Sequence, residues 1–259
     1  MTSIVVIGDI HGNARGLRAA LAQAKTGPVD QLVFMGDLLT YGHDVQEVLE
    51  LVAEAQETDG AVLLIGNHDQ MYFDLAEGKR DYLDKLPQWI KDSVLLTIQK
   101  FDAASLRGRF DWSVEWTLGN AFFAHANPFA FGDFRYLNSA EDQAAAIEAL
   151  AVRGANLGVF GHTHRPLWRP GAITLANAGS VGQPRDAQGS VILRLRLEGE
   201  LVAGAFESLV YDVDAHISDL QRTGLPDKTK QRLLGFFDQQ SRKGQFGQAA
   251  GNPLGRSGG

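Results

Sequence analysis

The chain has 259 residues and no cysteine, which excludes a disulfide framework and a thiolate metal site, so any bound metal has to rest on nitrogen and oxygen ligands. A formal net charge of −7 without any basic run counts against non-specific nucleic-acid binding, which rewards clustered Lys and Arg. No apolar run approaches membrane-spanning length, and Met1-Thr2-Ser3-Ile4 enters a strand without a basic and hydrophobic leader, so a cytoplasmic protein with no membrane partner is expected.

The first predicted strand, Ile4-Val5-Val6-Ile7, ends on Gly8-Asp9-Ile10-His11-Gly12. Asn13 then suits the N-cap of a helix through Lys25, in which Ala14, Leu17, Leu21 and Ala24 recur at helical spacing. A second apolar run, Leu32-Val33-Phe34-Met35, leads into Gly36-Asp37. Asp44 and Glu47 read as a capping box for a helix whose apolar face is Val45, Val48, Leu49 and Val52. The third run, Val62-Leu63-Leu64-Ile65, leads into Gly66-Asn67-His68-Asp69. This repetition of strand, polar loop and helix is the rhythm of an α/β sheet.

Residues 70–108 change character, with Met71, Tyr72, Phe73, Tyr82, Trp89 and Ile90 on helical stretches broken at Pro87. They read as a helical insertion flanking the site, and a substrate-selecting wall and plain packing against the sheet weigh equally there. Trp112 to His125 returns to strand character with a tight Gly119-Asn120 turn. Ser139 to Arg153 is an Ala-rich helix capped by Ser139 with Asp142 three residues on. Leu157-Gly158-Val159-Phe160 is another buried-type strand, ending on Gly161-His162-Thr163-His164. Alternation through Val191, Leu193, Leu195 and Leu197, and then Leu201 to Tyr211, predicts an antiparallel pair. One domain over 1–240 is expected, and 241–259, rich in Gly and poor in large apolar residues, reads as a disordered tail.

Each polar island follows the carboxyl end of a strand, the edge where α/β sheets bind ligands. Imidazole, carboxylate and amide oxygen are the donors that borderline divalent metals accept. Taken singly, His125 could be a satisfied core histidine, and only the other islands make a ligand role the better reading. Asp69 reads as a residue that orients its neighbours, Asn13 as a helix cap or a substrate contact, and Arg185 as a phosphate clamp or an exposed turn arginine. His43 and His216 fit no ligand position and read as structural or solvated.

In order, Asp9-Ile10-His11, Gly36-Asp37, Gly66-Asn67-His68-Asp69, His125 and Gly161-His162-Thr163-His164 resemble the calcineurin-like metallophosphoesterase family over residues 3 to 226. The stretches Gly36 to Gly42, Asn177 to Asp186 and Val210 to Val213 look like its small bacterial phosphodiesterase-like branch. The resemblance implies an α/β fold, a four-layer αββα sandwich of two mixed sheets flanked by helices, with the late pair from Val191 to Tyr211 in the second sheet. It implies two divalent ions (Mn, Fe, Zn or Ni), one held by Asp9, His11 and His164, the other by Asn67, His125 and His162, with Asp37 bridging them. It further implies attack on phosphorus by a hydroxide shared between the ions, His68 acting at the leaving oxygen, and Asn13 and Arg185 as candidate substrate contacts. The expected partner is a small-molecule phosphoester, diester or monoester; the sequence leaves the oligomeric state open.

Departures from the family narrow the substrate. Where the serine/threonine protein phosphatases of the superfamily carry Asp-Arg-Gly and a further Arg, this chain has Thr40-Tyr41-Gly42 and Ile65. Two phosphate-gripping arginines and the carboxylate that orients the catalytic histidine are therefore missing, which favours a diester or nucleotide over a phosphoprotein. A phosphoprotein or dinucleoside polyphosphate phosphatase, a nuclease, and a non-catalytic binding module of the same fold are the alternatives.

Overall fold

Short apolar runs too brief for helices form the strands, and the computed structural model describes them within residues 1–237. The predicted tail, 241–259, lies outside the described residues, as does the end of the expected 1–240 domain. β1 (Thr2–Ile7), β2 (Gln31–Phe34) and β3 (Val62–Leu64) lie parallel, joined by α1 (Ala14–Ala24) and α2 (Val45–Asp59). Asn13 caps α1 by accepting from the Gly16 N–H, as its sequence position suggests. The predicted Asp44/Glu47 box does not form. The Asp44 N–H is tied to the Gly12 carbonyl, which turns its carboxylate onto the Ala14 N–H at 3.3 Å, while Glu47 pairs with Arg18 at 2.6 Å.

The predicted insertion is helical: α3 (Asn67–Ala76), α4 (Asp81–Lys85), α5 (Gln88–Thr97) and α6 (Ala103–Arg109), with Pro87 at the start of α5 where its missing N–H does no harm. β4 (Trp112–Ser113) joins β3 in parallel, but after Val114 the chain crosses to the other layer. There β5 (Glu115–Leu118) and β6 (Ala121–Ala124) form the expected hairpin around Gly119, whose φ of +57° suits a tight turn. α7 (Ala140–Val152) is capped by Ser139, whose Oγ accepts from the Asp142 N–H at 3.0 Å. Then follow β7 (Leu157–Phe160), β8 (Leu167–Arg169), β9 (Thr174–Asn177), β10 (Val191–Glu198), β11 (Leu201–Ser208), α8 (Val213–Gln221) and α9 (Asp227–Leu234).

Two mixed sheets result, ordered β11-β10-β1-β2-β3-β4 and β5-β6-β7-β9-β8. Between them lies an apolar layer in which Ile4, Val6, Met35 and Leu195 meet Phe123 and Val159. The outer face of the first sheet, through Ile7, Phe34 and Leu63, packs with Leu17 and Val48 of α1 and α2. On the far side Phe122, Phe160 and Leu175 pack with Ala146 and Leu150 of α7. The four-layer sandwich of the sequence reading is therefore present.

One expectation is corrected. β10 and β11 extend the first sheet, with β10 antiparallel to β1 (Ile4 opposite Leu195), and the second sheet is built from β5 to β9. The cause is the edge of β1: β2 satisfies one side only, and a buried strand needs its remaining backbone N–H and C=O groups paired. Leu193 and Leu195 then face the layer between sheets, and Ile192 faces the helices. No helix among the described residues is long and apolar enough to cross a membrane.

Candidate metal centre

The loops leaving β1, β2, β3, β6 and β7 converge, and they bring every residue of the sequence-predicted ligand set together. Asp9, His11, Asp37 and His164 form one group able to hold a cation, and Asp37, His125 and His162 form a second, so the Asp37 carboxylate is common to both. All six residues are buried. Asp37 Oδ2 lies 3.7 Å from His11 Nε2 and 3.5 Å from His125 Nε2. His164 Nε2 lies 3.3 Å from Asp9 Oδ1, and the Asn67 Oδ1 atom lies 3.0 Å from His125 Nε2.

Backbone carbonyls fix the imidazoles. The second ring nitrogen of His11 points at the Leu39 carbonyl, that of His125 at Met35 and that of His164 at Gln183, in each case through Nδ1. His162 is reversed, with Nε2 on the Phe134 carbonyl. A carbonyl can only accept, so each of these nitrogens carries the proton and the other presents its lone pair to the cluster. His11 Nε2 and His164 Nε2 thus face one another at 3.1 Å as two acceptors without a donor. A cation between or beside them resolves that conflict, and the donor set fits a divalent metal.

Electrostatics agree with geometry. Burial pushes Asp9 up to about 6 and raises Asp37 well above the usual carboxylate range, the latter with further contributions from Asp69 and Asp9. Burial also holds His11, His162 and His164 well below their ordinary value, so they are neutral, the form that ligates. The backbone is strained in the same place. Asp9, His11, Asp37, His162 and His164 all have φ between 44° and 67°, a region that costs a side-chain-bearing residue roughly 1–3 kcal/mol. Backbone strain of this kind is retained only where surrounding contacts over-determine it.

Asp69 supplies such contacts at Asp37. Its carboxylate accepts from the backbone N–H groups of Asp37 at 2.7 Å, Gly66 at 2.9 Å and Leu38 at 3.1 Å, tying the second island to the third. Its orienting role is as the sequence suggests. His68, at the first turn of α3, donates its backbone N–H to Asp37 Oδ1 and its ring lines the adjoining cleft. The hydroxyl of Tyr41 lies 3.2 Å from His68 Nε2, so the residue at the arginine's position, rather than Thr40 at the carboxylate's, meets the His68 ring.

The cleft has a volume of about 870 Å³ and opens over Asp37, Asn67, His68, His162 and His164. Its walls include Tyr82, Trp89 and Ile90 of the insertion, Phe134 and Tyr136 from the β6–α7 connection, and Arg232 and Phe236 from the α9 end. Of the insertion's side chains, Tyr82 and Trp89 line the cleft, whereas Met71, Tyr72 and Phe73 are buried in the core. Arg185 lines the cleft, its guanidinium braced by Gln183 Oε1 at 2.7 Å. Asn13 does not reach it. The Asn13 amide is fully buried and occupied by Gly16, the Val181 carbonyl and the Tyr211 hydroxyl, so its place is that of a cap beneath the floor. Sequence reasoning missed Tyr136, stacked on His162 at 4.5 Å, and Arg232, and neither sits in a motif that could have flagged it.

A model of the calcineurin-like phosphoesterase superfamily domain matches residues 2–200. The chain belongs to that superfamily. Hydrolysis of phosphoester bonds is the enzyme class that membership carries. An uncharacterized protein of Methanocaldococcus jannaschii is 28% identical over 216 residues, 71% of this chain and 77% of that one. A symmetrical bis(5'-nucleosyl)-tetraphosphatase of Photorhabdus laumondii is 44% identical over 68 residues, which span 26% of this chain and only 24% of that enzyme. Among solved structures, a metallophosphoesterase from Sphaerobacter thermophilus aligns with a TM-score of 0.71 at 23% identity, covering 91% of this chain and 99% of that one, which shows a shared fold.

Proposed function

We propose that this phosphoesterase is a two-metal enzyme acting on small phosphodiesters or phosphomonoesters, and that nucleotides are its preferred substrates. The observation that carries the two-metal reading is Asp37, the carboxylate shared by both groups of buried donors. In this reading Asp9, His11 and His164 hold one ion, Asn67, His125 and His162 the other, and Asp37 serves both. Manganese, iron, zinc and nickel all suit this nitrogen and oxygen set. When bound, such ions polarise phosphoryl oxygens and lower the pKa of water toward neutrality.

The remaining chemistry falls to the chain. His68 stands beside the shared carboxylate with its ring in the cleft, where it supports the developing charge or supplies a proton at the leaving oxygen. The Tyr41 hydroxyl holds the ring in place. Arg185, pre-positioned by Gln183, grips a phosphoryl oxygen from the side. Flat aromatic walls around a metal-ligand floor suit a substrate with a planar base attached to phosphate, and Trp89 stacked on Tyr41 at 5.2 Å offers the platform. A dinucleoside polyphosphate is the second reading, supported by the local likeness to the tetraphosphatase and by the size of the cleft. A cytoplasmic location belongs to the same proposal, as does the small-molecule partner.

The test is hydrolysis by protein stripped of metal and reloaded with Mn²⁺, Fe²⁺, Zn²⁺ or Ni²⁺. Substrates are matched aryl phosphate monoester and diester, cyclic nucleotides, dinucleoside polyphosphates and a phosphopeptide. Asp37→Asn should abolish turnover in every metal. His68→Ala should lose about 10²- to 10⁴-fold on substrates with poor leaving groups and much less on aryl esters. Wild-type protein that hydrolyses none of these with any metal would sink the proposal.

A further inference from the structure

His43 and His216 match no motif, yet the fold brings them together. His43 lies in the loop that leaves the Gly36–Gly42 segment, Asp44 precedes α2, and His216 lies on α8. The two imidazoles are 5.0 Å apart with their planes inclined by 30°. One ligand-type atom from each of His43, Asp44 and His216 falls within 4.8 Å of the others. His43 Nε2 lies 3.2 Å from Asp44 Oδ1.

The polar atoms of this pair are left wanting. Nδ1 of His43 and Nδ1 of His216 are inaccessible to solvent and have no hydrogen-bond partner among the described residues, and the buried His43 Nε2 meets the Asp44 and Asp219 carboxylates without hydrogen-bond geometry. His216 is only 1% exposed, so bulk water does not compensate it. A buried imidazole nitrogen without a donor or acceptor is a loss that folding normally avoids. We propose that His43, Asp44 and His216 form a further divalent-cation site, separate from the cleft, that takes Zn²⁺ or a similar borderline metal.

Two imidazoles and one carboxylate are a donor set that zinc, nickel and cobalt accept, with the remaining position left for water. The charges around the site are mixed. Asp219 Oδ2 lies 3.8 Å from His43 Nε2 but is committed to Arg15 at 2.8 Å, and the Lys100 ammonium bonds the His43 carbonyl rather than its ring. Burial keeps both imidazoles below their ordinary value and hence neutral, as ligation requires. A cation here would tie α8 to the loop that carries Tyr41, two residues before His43. A small cavity is lined by both Tyr41 and His216, with Gly42 and Gln183 beside them. The role that follows is a brace on Tyr41, which in turn holds His68.

The experiment is a Zn²⁺ titration of the full chain, freed of metal, against a chromophoric chelator. Wild type should bind one equivalent more than His43→Ala and one more than His216→Phe. Asp37→Asn should lose equivalents belonging to the cleft and keep this one. Circular dichroism checks the fold of each variant; if His216→Phe fails to fold, His43→Ala, at a partly exposed loop position, decides. Equal stoichiometry in wild type and His43→Ala overturns the site, whatever the hydrolysis assays give. An anomalous zinc peak between His43 and His216 in crystals of the loaded protein would support it independently.

Discussion

Replacing Asp69 by Asn tests how the centre is held without touching an expected ligand. The carboxylate receives two backbone N–H groups on Oδ2 and one on Oδ1; burial raises its pKa on balance, against the pull of those donors. Three donors aimed at two oxygens favour the ionised form, which accepts all three as charge-assisted bonds. Asparagine can keep the Oδ2 pair, for Asp37 and Gly66, by placing its carbonyl there. Its NH₂ then faces the Leu38 N–H. One charge-assisted bond is lost, worth about 1.5–3 kcal/mol, and a buried donor is left unpaired at about 1–3 kcal/mol. The sum, about 2.5–6 kcal/mol, corresponds to a fall in Tm of about 5–24 °C for a domain of this size. Scanning calorimetry of the metal-free variant reads it directly, and zinc affinity should fall as well because the Asp37 turn is no longer pinned. A midpoint within about 2 °C of wild type would mean the carboxyl is protonated in the native state, and the reasoning would be refuted.

Three further outcomes are expected. Burial and the neighbouring His43 push His216 from 6.5 to about 3, so in metal-free protein the unfolded chain takes up a proton below pH 6.5 that the folded chain refuses until about pH 3. Stability is then complete above about pH 6.5 and declines as pH falls, by roughly 2 kcal/mol at pH 5; His216→Phe should flatten that limb in urea titrations, and an unaltered slope would contradict it. A Cβ added at Gly182 would overlap the Ile10 carbonyl oxygen, a backbone atom that cannot swing away, so Gly182→Ala should cost about 3 kcal/mol or more by chemical denaturation. Trp89→Ala removes the face stacked on Tyr41 and should raise KM for nucleotides about 2- to 12-fold, while leaving the KM of a small aryl phosphate unchanged. Equal effects on both substrates would deny a base platform.

The islands were legible because their residue types are chemically restrictive and each follows an apolar run that can only be a buried strand. Asp9, Asp37, Asn67 and His162 could therefore be placed before the sheets were known. Which sheet a strand joins is another matter. The alternation in Val191 to Leu197 specifies that β10 has two faces, but its partner is set by the unpaired edge of β1, distant in sequence. The change of layer after Val114 likewise depends on the hairpin beyond it. The cleft wall was legible only where aromatic density drew notice, as at Trp89; Tyr136 and Arg232 reach it through tertiary packing. The Asp44 carboxylate shows the same limit, since a local capping pattern lost to a longer-range N–H of α1.

The crossing after Val114 has a consequence for assembly. Asp9, Asp37 and Asn67 descend from one sheet, whereas His125, His162 and His164 descend from the other. Neither half of the sandwich can form the centre by itself, so high-affinity metal uptake has to wait until the two sheets have docked. Metal added early in refolding should leave the first kinetic phases unaltered and slow unfolding instead, because a cation held by donors from both sheets would reward only the last step of closure. The centre is then a latch on the finished protein, and its occupancy reports that the halves have met.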